Sequence, residues 1–208
     1  MGYLGVYKES MTEKVIEKSR FLSYVARTEG EEEARAFLDR VRSEHKTATH
    51  VCYGYVADSV GNLLRYSDDG EPQGTAGLPI LGVVRAKNLF CTAVAVVRYF
   101  GGIKLGAGGL TRAYCGSAQD ALSSADIREY APCIDVSLTV AYPEVNAAMS
   151  FLERKGYAEY GKEFGENAVF TVSVREERVE EFCAGALEFL NGRAELKKGE
   201  RKIFPFAV

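Results

Sequence analysis

The sequence predicts an α+β protein of two domains, the second of them ferredoxin-like. Three observations carry this expectation. The chain has 208 residues, enough for one large domain or two small ones. Its first part alternates short strand and helix patterns around one glycine-rich stretch, Val96 to Tyr114. Its last part runs strand, helix, two strands, helix and strand, which is the βαββαβ order of a ferredoxin-like unit. The expected division is residues 1–130 and 134–208, with Arg128 to Cys133, which contains Pro132, as the linker.

The elements follow from local pattern. Thr12 to Ser19 and Phe21 to Arg27 read as two short strands joined through the Ser-Arg-Phe at Ser19 to Phe21. Glu29 to Glu33 opens a helix with negative charge at its N-terminus, and Ala34, Phe37, Leu38 and Val41 form its apolar face. Thr49 to Ala57 reads as a strand with His50, Cys52 and Gly54 on one face and Val51, Tyr53 and Tyr55 on the other. Leu63 to Ser67 follows as a strand, and Pro79 sits in the first turn of a helix that reaches about Lys87. The apolar run Thr92 to Val97 is the central strand. A glycine loop, Gly101 to Gly109, leads from it into a helix carrying Leu110, Ala113, Tyr114, Ala118 and Leu122.

In the second part Ile134 to Ala141 alternates as a strand. Pro143 opens a helix that Gly156 ends. Ala158 to Phe164 and Ala168 to Val174 read as a hairpin, Val179 to Leu190 as a helix and Arg193 to Lys198 as a last strand. The tail Arg201 to Phe206 reads as an edge extension or a flexible end.

Composition narrows the function classes. A 47% hydrophobic, 26% charged chain is an ordinary soluble one. No apolar run reaches membrane-spanning length, and the first residues lack a signal-peptide core. The expectation is a cytoplasmic protein without a membrane partner. Five scattered cysteines with no CxxC pair support neither a disulfide frame nor a zinc site. A net charge of −3 is not that of a basic nucleic-acid-binding domain. Yet His45 to Cys115 holds seven Lys and Arg against four Asp and Glu, so any positive patch is local to the first domain.

The candidate site residues lie in that region. Gly101, Gly102, Gly106, Gly108 and Gly109 make five glycines in nine residues. A glycine loop that opens a helix aims free N–H groups at one spot, where the helix dipole favours an anion. Arg98, Lys104 and Arg112 would set positive charge around it. The alternative is that the glycines allow close backbone packing. The loop lacks the Lys and Ser/Thr of a Walker A motif and the third glycine of a dinucleotide fingerprint, so no cofactor is indicated. His50 reads as a hydrogen-bonding or acid–base residue, or as a structural imidazole. Asp68, Asp69 and Glu71 read as a hydrogen-bonding turn, or as oxygen ligands for Mg²⁺. Thr75 lies between Gly74 and Gly77 without an identifiable base, so no nucleophilic triad is supported.

Taken together, Ser19-Arg-Phe, His45-x4-His50-x-Cys52, Ser67-Asp-Asp-Gly-Glu-Pro-x-Gly-Thr-Ala-Gly77 and the run from Arg98 to Tyr114 resemble the IMPACT family, specifically its bacterial two-domain, YigZ-like members. The resemblance covers nearly the whole chain. It implies a first domain similar to the second domain of a small-subunit ribosomal protein and to domain IV of elongation factor G. It implies a second domain similar to the last domain of that factor. Eukaryotic relatives regulate translation through a further N-terminal domain, so their kinase-directed role is not carried over. The family implies no particular reaction. The expected function is non-enzymatic, translation-associated binding of RNA or the ribosome, weak and salt-sensitive, with Tyr53, Tyr66, Tyr99 or Phe100 available to stack bases. The alternative is an enzyme acting on a small phosphorylated or anionic substrate with Asp68, Asp69, Glu71 and His50 as its acid–base or metal set.

Overall fold

The computed structural model describes residues 2–157 and 160–208. Contacts divide the chain into two compact units, Tyr3–Glu129 and Tyr130–Phe206.

The N-terminal unit is built on one antiparallel sheet. After a short strand β1 (Tyr3–Val6) come β2 (Ser10–Ile16), β3 (Ser19–Arg27), helix α1 (Gly30–Glu44), β4 (His50–Val56), β5 (Leu64–Ser67), α2 (Gly77–Ala86), β6 (Thr92–Tyr99) and α3 (Gly106–Ser124). The strand order is β2-β3-β6-β4-β5. β6 lies in the middle and is covered on both faces, which explains its unbroken apolar sequence. Val94 and Val96 pack under α2 and α3 with Cys52, Ile80, Leu110 and Tyr114. Ala93, Ala95 and Val97 pack on the other face with Phe37, Leu38 and Val41 of α1. Beyond α1, His45 bridges two phenols, with Tyr24 Oη at 2.7 Å from Nε2 and Tyr99 Oη at 2.8 Å from Nδ1.

β2 and β3 are joined by Glu17 and Lys18, both with positive φ (45° and 63°). Two left-handed residues match the hairpin twist of a type I′ turn. The link is therefore one pair earlier than expected, and Ser19 to Phe21 already belong to β3.

The C-terminal unit is an α/β layer of its own. It contains β7 (Ile127–Val140) from Tyr130 on, α4 (Val145–Arg154), β8 (Gly161–Phe164), β9 (Ala168–Arg175), α5 (Val179–Phe189) and nearly all of β10 (Ala194–Ala207). β8 pairs with β9, β9 with β7, and β7 with β10. This is the ferredoxin-like βαββαβ plan. Val136, Leu138, Phe170 and Val172 face Phe151, Leu152, Phe182 and Ala186 of the two helices. The α+β class is therefore as expected.

Several local expectations are corrected. Arg128 to Cys133 is part of β7 rather than a linker; Pro132 does not interrupt the strand. Of the two readings of the tail Arg201 to Phe206, the strand extension is the one observed, within β10. The expected start of a strand at Ala158 lies outside the described residues. β1 had no periodic signal long enough to reveal it. The glycine loop is shorter than Gly101 to Gly109, because α3 already begins at Gly106.

Candidate functional site

The site grows from the end of β6. Register places Phe21 of β3, Arg98 of β6 and His50 of β4 side by side. Residues 94, 96 and 98 share a face, so the Arg98 side chain enters the core beside α3 rather than water. Arg98 is 4% exposed. It donates to Glu71 Oε1 at 2.6 Å and to Ser19 Oγ at 3.3 Å. Its guanidinium lies between the Phe21 and Phe100 rings, at 5.5 and 5.4 Å from their centroids. Tyr114 of α3 donates to the same Glu71 oxygen at 2.8 Å. A buried carboxylate is tolerated only when paired and hydrogen-bonded, and Glu71 has both kinds of partner. Burial, with Cys52 and Glu71 beside it, raises the Tyr114 hydroxyl far above the usual phenol range, so it remains a donor. Burial likewise pushes the Cys52 thiol up to about 12.

His50 stands at the edge of this network. Its Nδ1 lies 2.7 Å from the Asp69 carbonyl oxygen, which can only accept. Nδ1 therefore carries the proton in the neutral ring, and Nε2 is the bare nitrogen, 3.8 Å from Glu71 Oε1.

The acidic turn is fastened by its own backbone. Asp68 accepts N–H bonds from Gly74 at 2.8 Å, Ala76 at 3.0 Å and Gly77 at 2.8 Å. Burial acts to raise its pKa, but these three donors outweigh it and hold the carboxyl below the usual range. Asp69 accepts from the Val51 N–H at 2.6 Å, and Thr75 donates to the Pro72 carbonyl at 2.6 Å. Asp68, Asp69 and Thr75 thus act as brackets, while Glu71 is the partner of Arg98. No cluster of metal-ligating side chains occurs among the described residues.

The glycine segment continues from Arg98. The Gly101 N–H donates to Ser19 Oγ at 3.2 Å. A Cβ on Gly101 would sit 2.0 Å from the Lys18 carbonyl carbon, so close packing accounts for this glycine. Gly102, Gly106 and Gly108 are exposed; no described atom crowds a Cβ at Gly102 or Gly106, and their positive φ (87° and 69°) accounts for glycine at both. No side chain among the described residues caps the start of α3. The exposed Lys104 and Arg112 side chains have no hydrogen-bond or ion-pair partner among the described residues. They line a cavity of about 450 Å³ together with Gly109, Ile16, Glu17 and Ile103.

The structure therefore sorts the three cations of the segment. Lys104 and Arg112 share the open cavity; Arg98 is withdrawn from it and neutralised, because its register faces the core. His50, Asp69, Glu71 and Arg98 come together as one network. Sequence reasoning missed Tyr114 and Ser19 as members of it, and Ile16, Glu17 and Ile103 as walls of the cavity. Of the aromatic residues considered for stacking, Phe100 and Tyr66 are 46% and 47% exposed. Tyr53 stacks on Tyr55, and Tyr99 is bound to His45.

Comparison with known proteins gives consistent results. The Impact N-terminal domain matches residues 17–122, and a domain of unknown function, DUF1949, matches residues 138–193. IMPACT family member YvyE of Bacillus subtilis is 35% identical over 100% of this chain and 95% of its own length. IMPACT family member YigZ of Escherichia coli is 34% identical over 87% of this chain and 90% of its own. Among solved structures, a hypothetical protein with 32% identity superposes with a TM-score of 0.62, covering 94% of this chain and 96% of the other.

Proposed function

This chain belongs to the IMPACT family, and from that premise we propose that it is a translation-associated regulatory protein that binds RNA or the ribosome without catalysing a reaction. The observation that carries the proposal is that two free cations, Lys104 and Arg112, line one open cavity beside the start of α3. Backbone phosphates suit such a place: N–H groups and cationic side chains contact phosphate oxygens without reading sequence. The net charge of −3 makes the contact local, and hence weak and salt-sensitive.

The enzymatic alternative draws less support. The carboxylates that would serve it are committed to backbone N–H groups or to Arg98. No helix among the described residues is long and apolar enough to cross a membrane.

The test is binding of the purified protein to labelled transfer RNA over a salt series, beside a Lys104→Ala/Arg112→Ala variant. The expected result is an affinity that falls with salt, and a variant whose log–log slope is shallower by about one to two units. Absence of RNA binding at low salt, or a slope unchanged in the variant, overturns the proposal.

A further inference from the structure

Resting on that reading, we infer that the cavity beside Lys104 and Arg112 receives one unstacked ribonucleotide of a single-stranded RNA. The cavity measures about 450 Å³, within the roughly 300–1,000 Å³ of small-molecule sites. Its lining is of three kinds. Lys104 and Arg112 supply positive charge, Ile16, Ile103 and Leu105 supply aliphatic surface, and Glu17 supplies one carboxylate. Ile103 is 37% exposed, so a branched aliphatic side chain stands in water beside two free cations.

Each kind of lining excludes a simpler ligand. Inorganic phosphate would use the cations and leave the aliphatic walls idle. An apolar ligand would leave the cations unpaired. A duplex presents phosphates outward and keeps its bases stacked inside, away from Ile103. A nucleotide turned out of a single strand satisfies all three. Its phosphate meets Lys104 and Arg112, and its base lies against the aliphatic side chains. Like charge keeps the phosphate away from Glu17, so that carboxylate faces the sugar or a base N–H. An acceptor there suits the ribose 2′-hydroxyl, the group that distinguishes RNA from DNA.

The backbone at Glu17 is set by the hairpin. Glu17 is the first residue of the tight β2–β3 turn, with φ of 45°. The opposite wall is held to the same hairpin by the Gly101 N–H bond to Ser19 Oγ.

The experiment compares three probes on the full chain: an RNA strand of about ten nucleotides, the DNA strand of the same sequence, and the RNA duplex. Four proteins are measured: wild type, Lys104→Ala/Arg112→Ala, Ile103→Ala and Glu17→Gln. The single RNA strand is expected to bind about tenfold tighter than the duplex. Ile103→Ala should weaken single-strand binding several-fold without changing the salt slope. Glu17→Gln should bring the RNA and DNA affinities together. Both residues are accessible to solvent at the cavity, and thermal midpoints near that of wild type confirm folding. Equal binding of strand and duplex, still weakened by Lys104→Ala/Arg112→Ala, overturns this inference and leaves the proposed function standing. Failure of every RNA to bind overturns both.

Discussion

The Arg98 guanidinium meets the Glu71 carboxylate at 2.6 Å, with only 5% and 4% of the two side chains exposed. These residues come from a core strand and from a surface-reading turn, and neither is placed without the other. Removing one partner of a buried pair leaves an unpaired charge, which destabilises by about 3–5 kcal/mol. Glu71→Gln and Arg98→Met are each expected to lose stability of that order in urea unfolding. The double variant should lose clearly less than the sum. Additive losses would show that the pair contributes no coupling.

Asp68 gives the unit an acid-sensitive point. Its folded-state pKa is depressed, with burial opposing and the Gly74, Gly77 and Ala76 N–H groups prevailing. Its contribution is therefore present above the unfolded carboxyl value of about 4, and is lost as pH falls through the lower folded value. Asp68→Asn is expected to cost about 2 kcal/mol at neutral pH. The same variant should show a shallower loss of stability between about pH 4 and pH 2 than wild type. Parallel acid limbs for the two proteins would remove Asp68 as the cause.

Two glycines of the same segment should behave oppositely. Gly101→Ala places a methyl group 2.0 Å from the Lys18 carbonyl carbon, so backbone must move. The expected loss is about 1–3 kcal/mol. Gly108 lies in the first turn of α3, where a Cβ would meet nothing closer than Arg112 Nη1 at 3.6 Å. Gly108→Ala should be neutral or stabilise by up to about 1 kcal/mol, through helix propensity. Thermal midpoints of the two variants decide it.

Cys52 should be chemically silent in the folded protein. It is fully buried, its thiol is pushed up to about 12, and it donates to the Asp68 carbonyl at 3.0 Å. Only the thiolate reacts with alkylating agents. Iodoacetamide at pH 8 should modify Cys52 only after unfolding, as read by peptide mass mapping. Modification in the native protein at the rate of the half-exposed Cys115 would contradict this burial.

Much of the fold was legible in the residues themselves. β4 showed its two faces by residue parity, β6 showed a doubly covered strand by its unbroken apolar run, and the order of elements after Ile134 is the one observed. What was not legible involved long-range partners. The periodicity that buries Val94 and Val96 also buries Arg98, and this was available in the sequence. It conflicted with the expectation that arginine is exposed, and only the distant Glu71 resolves that conflict. Glycine disguised the start of α3, because low helix propensity hid a turn that tertiary packing imposes. Pro132 misled in the same way within β7. The aliphatic walls of the cavity come from Ile16 and Ile103, far apart in sequence, and no local pattern joins them.

The contact between Gly101 and the Lys18 carbonyl has a consequence for engineering. The run from Arg98 to Tyr114 looks like a self-contained cassette, but its shape is borrowed. A turn some eighty residues earlier presses on its first glycine, a serine from that hairpin holds its amide, and a carboxylate from another loop anchors its arginine. Grafted alone onto a foreign strand–helix junction, the peptide would lose its form. Transplanting it requires Glu17 to Phe21 and the Asp68 to Gly77 bracket to travel with it, so the smallest portable piece is most of the N-terminal unit.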